Sequence, residues 1–153
     1  MANMSLKETI RTDLTAAMKA RDEVRSSTLR MILTAITNAE VAGKQARQLS
    51  DDEIIGVLST EAKKRREAAV AFSDGGRAEQ AAKEAAEAAV IVEYLPAQLS
   101  PEEISDLVAK AIEQTGASDV KAMGKVMGVV TPQVKGRADG GAVAAEVRRQ
   151  LGA

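Results

Sequence analysis

Ser26-Ser27 is the nearest approach to a nucleophile pair in this sequence, and nothing completes it. An acyl-transfer site of the Ser-Ser-Lys type needs a large Ser/Gly-rich loop. These two serines instead lie inside a helical pattern, with no matching lysine loop. The chain has no histidine and no cysteine. The commonest general base, the commonest transition-metal ligand, the thiol nucleophile and the zinc–thiolate site are therefore all excluded. Asp51, Asp52 and Glu53 fit a helix start, where the dipole favours negative charge, and need no catalytic role. No Gly-x-x-x-x-Gly-Lys-Ser/Thr pattern is present, so no phosphate-cradling nucleotide loop is expected. The residues point to no catalytic group, no cofactor and no metal.

What these residue types can do is hold an anion. The stretch MGKVMGVVTPQVKGRADGG, Met123–Gly141, carries five glycines, one proline and three basic residues. From Val120 to Ala153, six basic side chains (Lys121, Lys125, Lys135, Arg137, Arg148 and Arg149) stand against only Asp139 and Glu146. That is a local +4 in a chain of formal net charge −1, so a polyanion site has to be a patch and not a global field. Asp139 is a good N-cap, which leaves Gly140 and Gly141 in a first turn without side-chain cover. A bare helix start beside Lys and Arg is a reasonable phosphate site. The competing reading is an ordinary solvated surface, with Asp139 using the backbone donors for its cap. Lys63-Lys64-Arg65-Arg66 is denser, but consecutive helical residues point about 100° apart and cannot form one flat patch. Glu61 and Glu67 flank that run, so a solvated helix face is the better reading.

The elements that must position these residues are helices throughout. Ser5/Glu8 and Ser50/Glu53 are capping boxes, and Ser100-Pro101-Glu102-Glu103 is a third start signal. Leu6, Ile10, Leu14 and Met18 recur every four residues in a first helix. A second helix runs from about Asp22 to Val41, carries Val24, Met31, Ile32, Ala35 and Ile36, and stops at Gly43. The third ends at Ser73-Asp74-Gly75-Gly76, and the fourth presents Ala81, Ala85, Ala88 and Val92. Tyr94-Leu95-Pro96 breaks the pattern, because the residue before proline is pushed out of helical geometry. The fifth helix stops at Gly116; Ser118 caps the sixth; Gly136 takes the left-handed position that ends it. Gly124 and Gly128 lie on one side of that sixth helix, at a cost of roughly 1 kcal/mol each, which suggests close approach of another backbone. Pro132 is expected to kink it near Thr131. Val120, Met123, Met127, Val130, Val143, Val147 and Leu151 are expected to be buried together. Nothing alternates with period two for long enough to be a strand. The expectation is an all-α fold: a bundle of about four helices over residues 1–94 and a three-helix domain over 95–153.

At Met123-Gly124-Lys125-Val126-Met127-Gly128, Pro132, Gly136-Arg137-Ala138-Asp139 and Val143, the sequence resembles the GatB/YqeY domain family. Leu29-Arg30-Met31-Ile32 and Tyr94-Leu95-Pro96 also look like family features, so the resemblance covers nearly the whole chain, as in a stand-alone YqeY-like protein. It implies a helical bundle followed by a small three-helix domain. That domain is similar to the tail of the B subunit of the tRNA-dependent amidotransferase, which amidates Glu-tRNA(Gln) or Asp-tRNA(Asn). The tail is associated with holding tRNA, while the chemistry occurs in other domains and subunits. A family label of carbon–nitrogen ligase with glutamine as amido donor is thus inherited from the larger enzyme. The resemblance implies tRNA binding by Lys121, Lys125, Lys135, Arg137, Gly140, Gly141, Arg148 and Arg149. The rival expectation is a helical protein-interaction adaptor that binds no nucleic acid. The start, MANMSLKETIRTDL, lacks a signal-type apolar run, and no stretch approaches the roughly 18 apolar residues of a membrane span. The expected setting is cytoplasmic, without membrane contact.

Overall fold

The computed structural model describes residues 4–152. Among the described residues there are seven α-helices, one short 3-10 turn and no strand. The chain divides into two compact units, Met1–Leu95 and Pro96–Ala153, each with its own core.

The first unit is built from α1 (Leu6–Lys19), α2 (Glu23–Glu40), α3 (Asp51–Asp74) and α4 (Ala78–Val92). Local chemistry sets the starts. Ser5 and Ser50 accept from the backbone N–H of Glu8 and Glu53, and both capping boxes close reciprocally. Asp22 caps α2 by accepting from the Arg25 N–H at 3.0 Å. Ile10, Leu29, Ile32, Ile36, Ile54, Leu58 and Ile91 fill the core. With a single phenylalanine and a single tyrosine in the chain, that core is aliphatic and its helices pack closely. Arg47–Glu53 ties the connection between α2 and α3 to the start of α3, and Lys7–Glu40 ties α1 to the end of α2. The Glu40 carboxylate also accepts from the Leu49 N–H.

The second unit is α5 (Pro101–Thr115), α6 (Met123–Val134) and α7 (Gly140–Gln150). Ser100 and Glu103 close a third capping box, with Pro101 in the first turn. Gly116 and Gly136 have φ of +67° and +73°, the left-handed geometry in which glycine carries no steric cost. Val108, Val126, Val130, Val143 and Val147 are fully enclosed and meet where the three helices converge.

Several expected faces are displaced, the one on α1 for a geometric reason. A four-residue step on a 3.6-residue helix advances about 40° each time, so a strict i+4 row drifts off the buried face. On α1 the row Leu6, Ile10, Leu14 ends with Ala17 buried and Met18 exposed. On α4, Ala85 is exposed while Glu87, Ala88 and Ile91 are buried. On α2 Val24 is exposed, and the helix ends at Glu40, so Gly43 is not its stop. Val120 was expected in the second core and is 43% exposed. Asp119, not Ser118, provides the cap, and it closes the 3-10 turn Val120–Ala122 before α6 begins. The buried row of α6 is Val126, Val130 and Val134, with Met123 and Met127 half-buried at its flank. Pro132 lies inside α6, which continues to Val134.

Candidate nucleic-acid interface

Burial of Val126, Val130 and Val134 determines what α6 shows to solvent. Gly124, Lys125, Gly128, Pro132 and Lys135 are all exposed. On helix geometry they occupy one arc of roughly 100°, and Lys125 and Lys135 stand about 15 Å apart along the axis. A Cβ built on Gly124 or Gly128 meets nothing within 4 Å. The glycine pair is therefore not a seat for another backbone of this chain, as the spacing had suggested. It is an open strip on the surface, with lysine at either end.

The eight candidate residues fall into two groups. Lys121, Lys125, Lys135 and Arg148 are exposed and enter no ion pair among the described residues. The others have structural engagements. Arg137 is half-buried, and its Nε donates to the Ala97 carbonyl at 3.0 Å. The Leu99 N–H donates to the Arg137 carbonyl at 2.9 Å, so residue 137 ties the start of the second unit to the α6–α7 connection. Arg149 is exposed and paired with Glu146, its Nε donating to Oε1 at 2.6 Å. That contact holds the Glu146 carboxyl below its ordinary range. Gly140 and Gly141 are exposed in the first turn of α7, as expected, but the Gly141 N–H is met by Asp139 Oδ1 at 3.1 Å. The cap therefore uses one of the donors that a phosphate would have used.

The Lys63–Arg66 run is dispersed around α3. Lys63, Lys64 and Arg66 are exposed, and Lys64 pairs with Glu61. Arg65 turns inward and sits among Glu61, Glu84 and Glu87. Its Nε is buried without an acceptor. Sequence reasoning missed a further basic cluster, formed by Arg21 and Arg30 around Ser26-Ser27, because it depends on how α1 turns into α2. Among the described residues, no group of three or more His, Cys, Asp or Glu side chains is arranged to hold a metal ion, and no helix is long and apolar enough to cross a membrane.

These features define a small all-helical protein in which a four-helix unit precedes a three-helix unit with a basic, glycine-interrupted edge. The chain belongs to the YqeY-like protein family, whose profile matches residues 7–151. No curated protein matches the chain.

Proposed function

We propose that this protein is a non-catalytic, tRNA-associated helical protein whose second unit, residues 95–153, grips the RNA backbone in the manner of the amidotransferase tail. The observation that carries the reading is the exposed α6 arc, with unpaired lysines bracketing side-chain-free backbone. Lysines without carboxylate partners are free to replace condensed counterions on a polyanion. The glycine strip removes the side chains that would otherwise hold a sugar–phosphate backbone away. Lys121, Lys125, Lys135 and Arg148 are the principal contacts. Arg137 and Arg149 contribute only the part of each guanidinium not already engaged. Gly140 and Gly141 contribute backbone donors that compete with the Asp139 cap. Such contacts fix position without reading bases, so affinity should follow tRNA shape and charge more than sequence.

The test is a salt titration of tRNA affinity for wild type and for the triple variant Lys121→Gln, Lys125→Gln, Lys135→Gln. Arg137 is left intact because its side chain supports the fold. The variant is expected to bind more weakly, with a log–log salt slope shallower by roughly two to three units if all three phosphate contacts are lost. Equal slopes, or no binding by wild type at low salt, would sink the reading and leave the adaptor as the better account.

A further inference from the structure

We propose that a cleft in the four-helix unit, where α1 turns into α2, is a binding site for a small molecule bearing a phosphate group. It is independent of the α6 edge and of any role in tRNA binding. The cleft is an open depression of about 560 Å³ lined by Met18, Arg21, Glu23, Ser26, Ser27 and Arg30. That volume falls within the range of small-ligand sites, about 300–1,000 Å³.

Three observations point to an anion. Arg21 and Arg30 line the same cleft, and neither has a carboxylate partner among the described residues. The acceptor of Arg30 is the Met18 thioether, with Nη2 at 3.2 Å from Sδ. A thioether is a weak acceptor, so this guanidinium keeps most of its capacity for a charged oxygen. Lastly, Ser26 is only 6% exposed, lines the cleft, and its hydroxyl has no hydrogen-bond partner. Its neighbours behave differently: Ser27 and Thr28 both donate to the Val24 carbonyl, at 3.2 and 2.7 Å. With no protein partner, the Ser26 hydroxyl is open to the cleft and can donate to, or accept from, a group bound there. Two planar donor forks and a hydroxyl suit a tetrahedral dianion with several acceptor oxygens. Glu23 is the one acid in the lining, and it opposes an anion there.

A small phosphoester and an RNA backbone share this chemistry, and the cleft is assigned to the former because a terminal phosphate is a dianion with more free oxygens. The experiment follows the backbone amides of Ser26 and Ser27 by NMR in the full chain, titrated with inorganic phosphate, with ribose 5-phosphate, and with a short RNA lacking terminal phosphates. Both small phosphates should give saturable shifts localised to the cleft, and the RNA should not displace them. The double variant Arg21→Gln, Arg30→Gln should weaken binding at least tenfold, and Ser26→Ala several-fold. Glu23→Gln should tighten it, while Arg11→Gln, outside the cleft, should change nothing. Amide dispersion reports whether each variant is folded; if the double variant unfolds, Ser26→Ala and Glu23→Gln carry the test. Absence of saturation by either small phosphate, or unchanged affinity in folded variants, overturns the proposal. Shifts produced by the RNA alone would overturn it as well, and make the cleft a backbone contact.

Discussion

The Tyr94 hydroxyl donates a 2.6 Å hydrogen bond to Oδ2 of Asp13, joining the end of α4 to α1 across 81 positions of sequence. Burial, and then the Asp13 carboxylate, push the Tyr94 phenol well above its ordinary range, so it remains a donor at any physiological pH. Beside it Arg25 Nη2 reaches Glu93 at 2.8 Å. Helix α4 thus ends in a polar clamp held by α1 and α2. Tyr94→Phe keeps the ring and removes the donor. The expected loss is about 1.5 kcal/mol, the low end for a hydrogen bond to a charged group, because the pair is only part-buried. Urea unfolding should show a lower midpoint and an unchanged m-value.

A second prediction concerns acid. Arg47 donates to Glu53 at 2.9 Å, and Ser50 adds a backbone N–H at 3.1 Å. With the Arg47 contact as the larger cause, the Glu53 carboxyl is held at about 2, below its ordinary 4.5. A depressed acid stabilises the fold above its unfolded value and loses that contribution as the pH falls through its folded value. The window is therefore from about 4.5 down to about 2. Glu53→Gln should be less stable than wild type at neutral pH, and the two should converge toward pH 2. Parallel stability curves across that window would show that Glu53 gains nothing from the cap.

Glu87 has the opposite sign. It is buried on α4, and desolvation, followed by repulsion from Glu84, raises its carboxyl above the ordinary range despite Arg65 nearby. Its contribution is favourable while it is protonated and is lost as the pH rises through its folded value. Glu87→Gln should therefore raise the melting temperature at pH 7, with the gain shrinking as the pH falls toward 4.5. Arg65 keeps Glu84 and Glu61, so no buried cation is stranded. A lower melting temperature at pH 7 would mean that the Arg65–Glu87 attraction outweighs the desolvation cost.

What was legible in the sequence is what residues near one another decide. Ser5, Ser50 and Ser100 announced three helix starts, because the capping box is complete within four residues. Gly116 and Gly136 announced two stops, because positive φ is a single-residue requirement. The faces were less legible: Met18 ends a strict four-residue row that drifts off the buried face of α1, while Ala85 and Val120 sat in apolar rows that tertiary packing turned outward. Arg137 read as a surface cation, and nothing local in the sequence signals its bond to Ala97, 40 positions away. The Arg21–Arg30 cleft was illegible for the same reason. Its residues converge only once Arg21 adopts φ of +58° and reverses the chain.

The final prediction separates the two uses of the α6 glycines. If Gly124 and Gly128 served packing, Ala at either position would clash. Instead a Cβ finds open space at both, and alanine is favoured over glycine in a helix interior by about 1 kcal/mol. Gly124→Ala is therefore expected to stabilise the chain by up to about 1 kcal/mol, and the double variant with Gly128→Ala by somewhat less than twice that. Glycines that lower stability without packing against anything fit a surface approached closely by something outside the chain. On the tRNA reading, the same double variant should bind tRNA more weakly while its salt slope stays unchanged, since no charge is lost. Chemical denaturation and the salt titration, run on the same preparation, check both halves. A more stable variant with undiminished tRNA affinity would show that the glycine strip is not where the RNA lies, and would leave the lysines alone to account for binding.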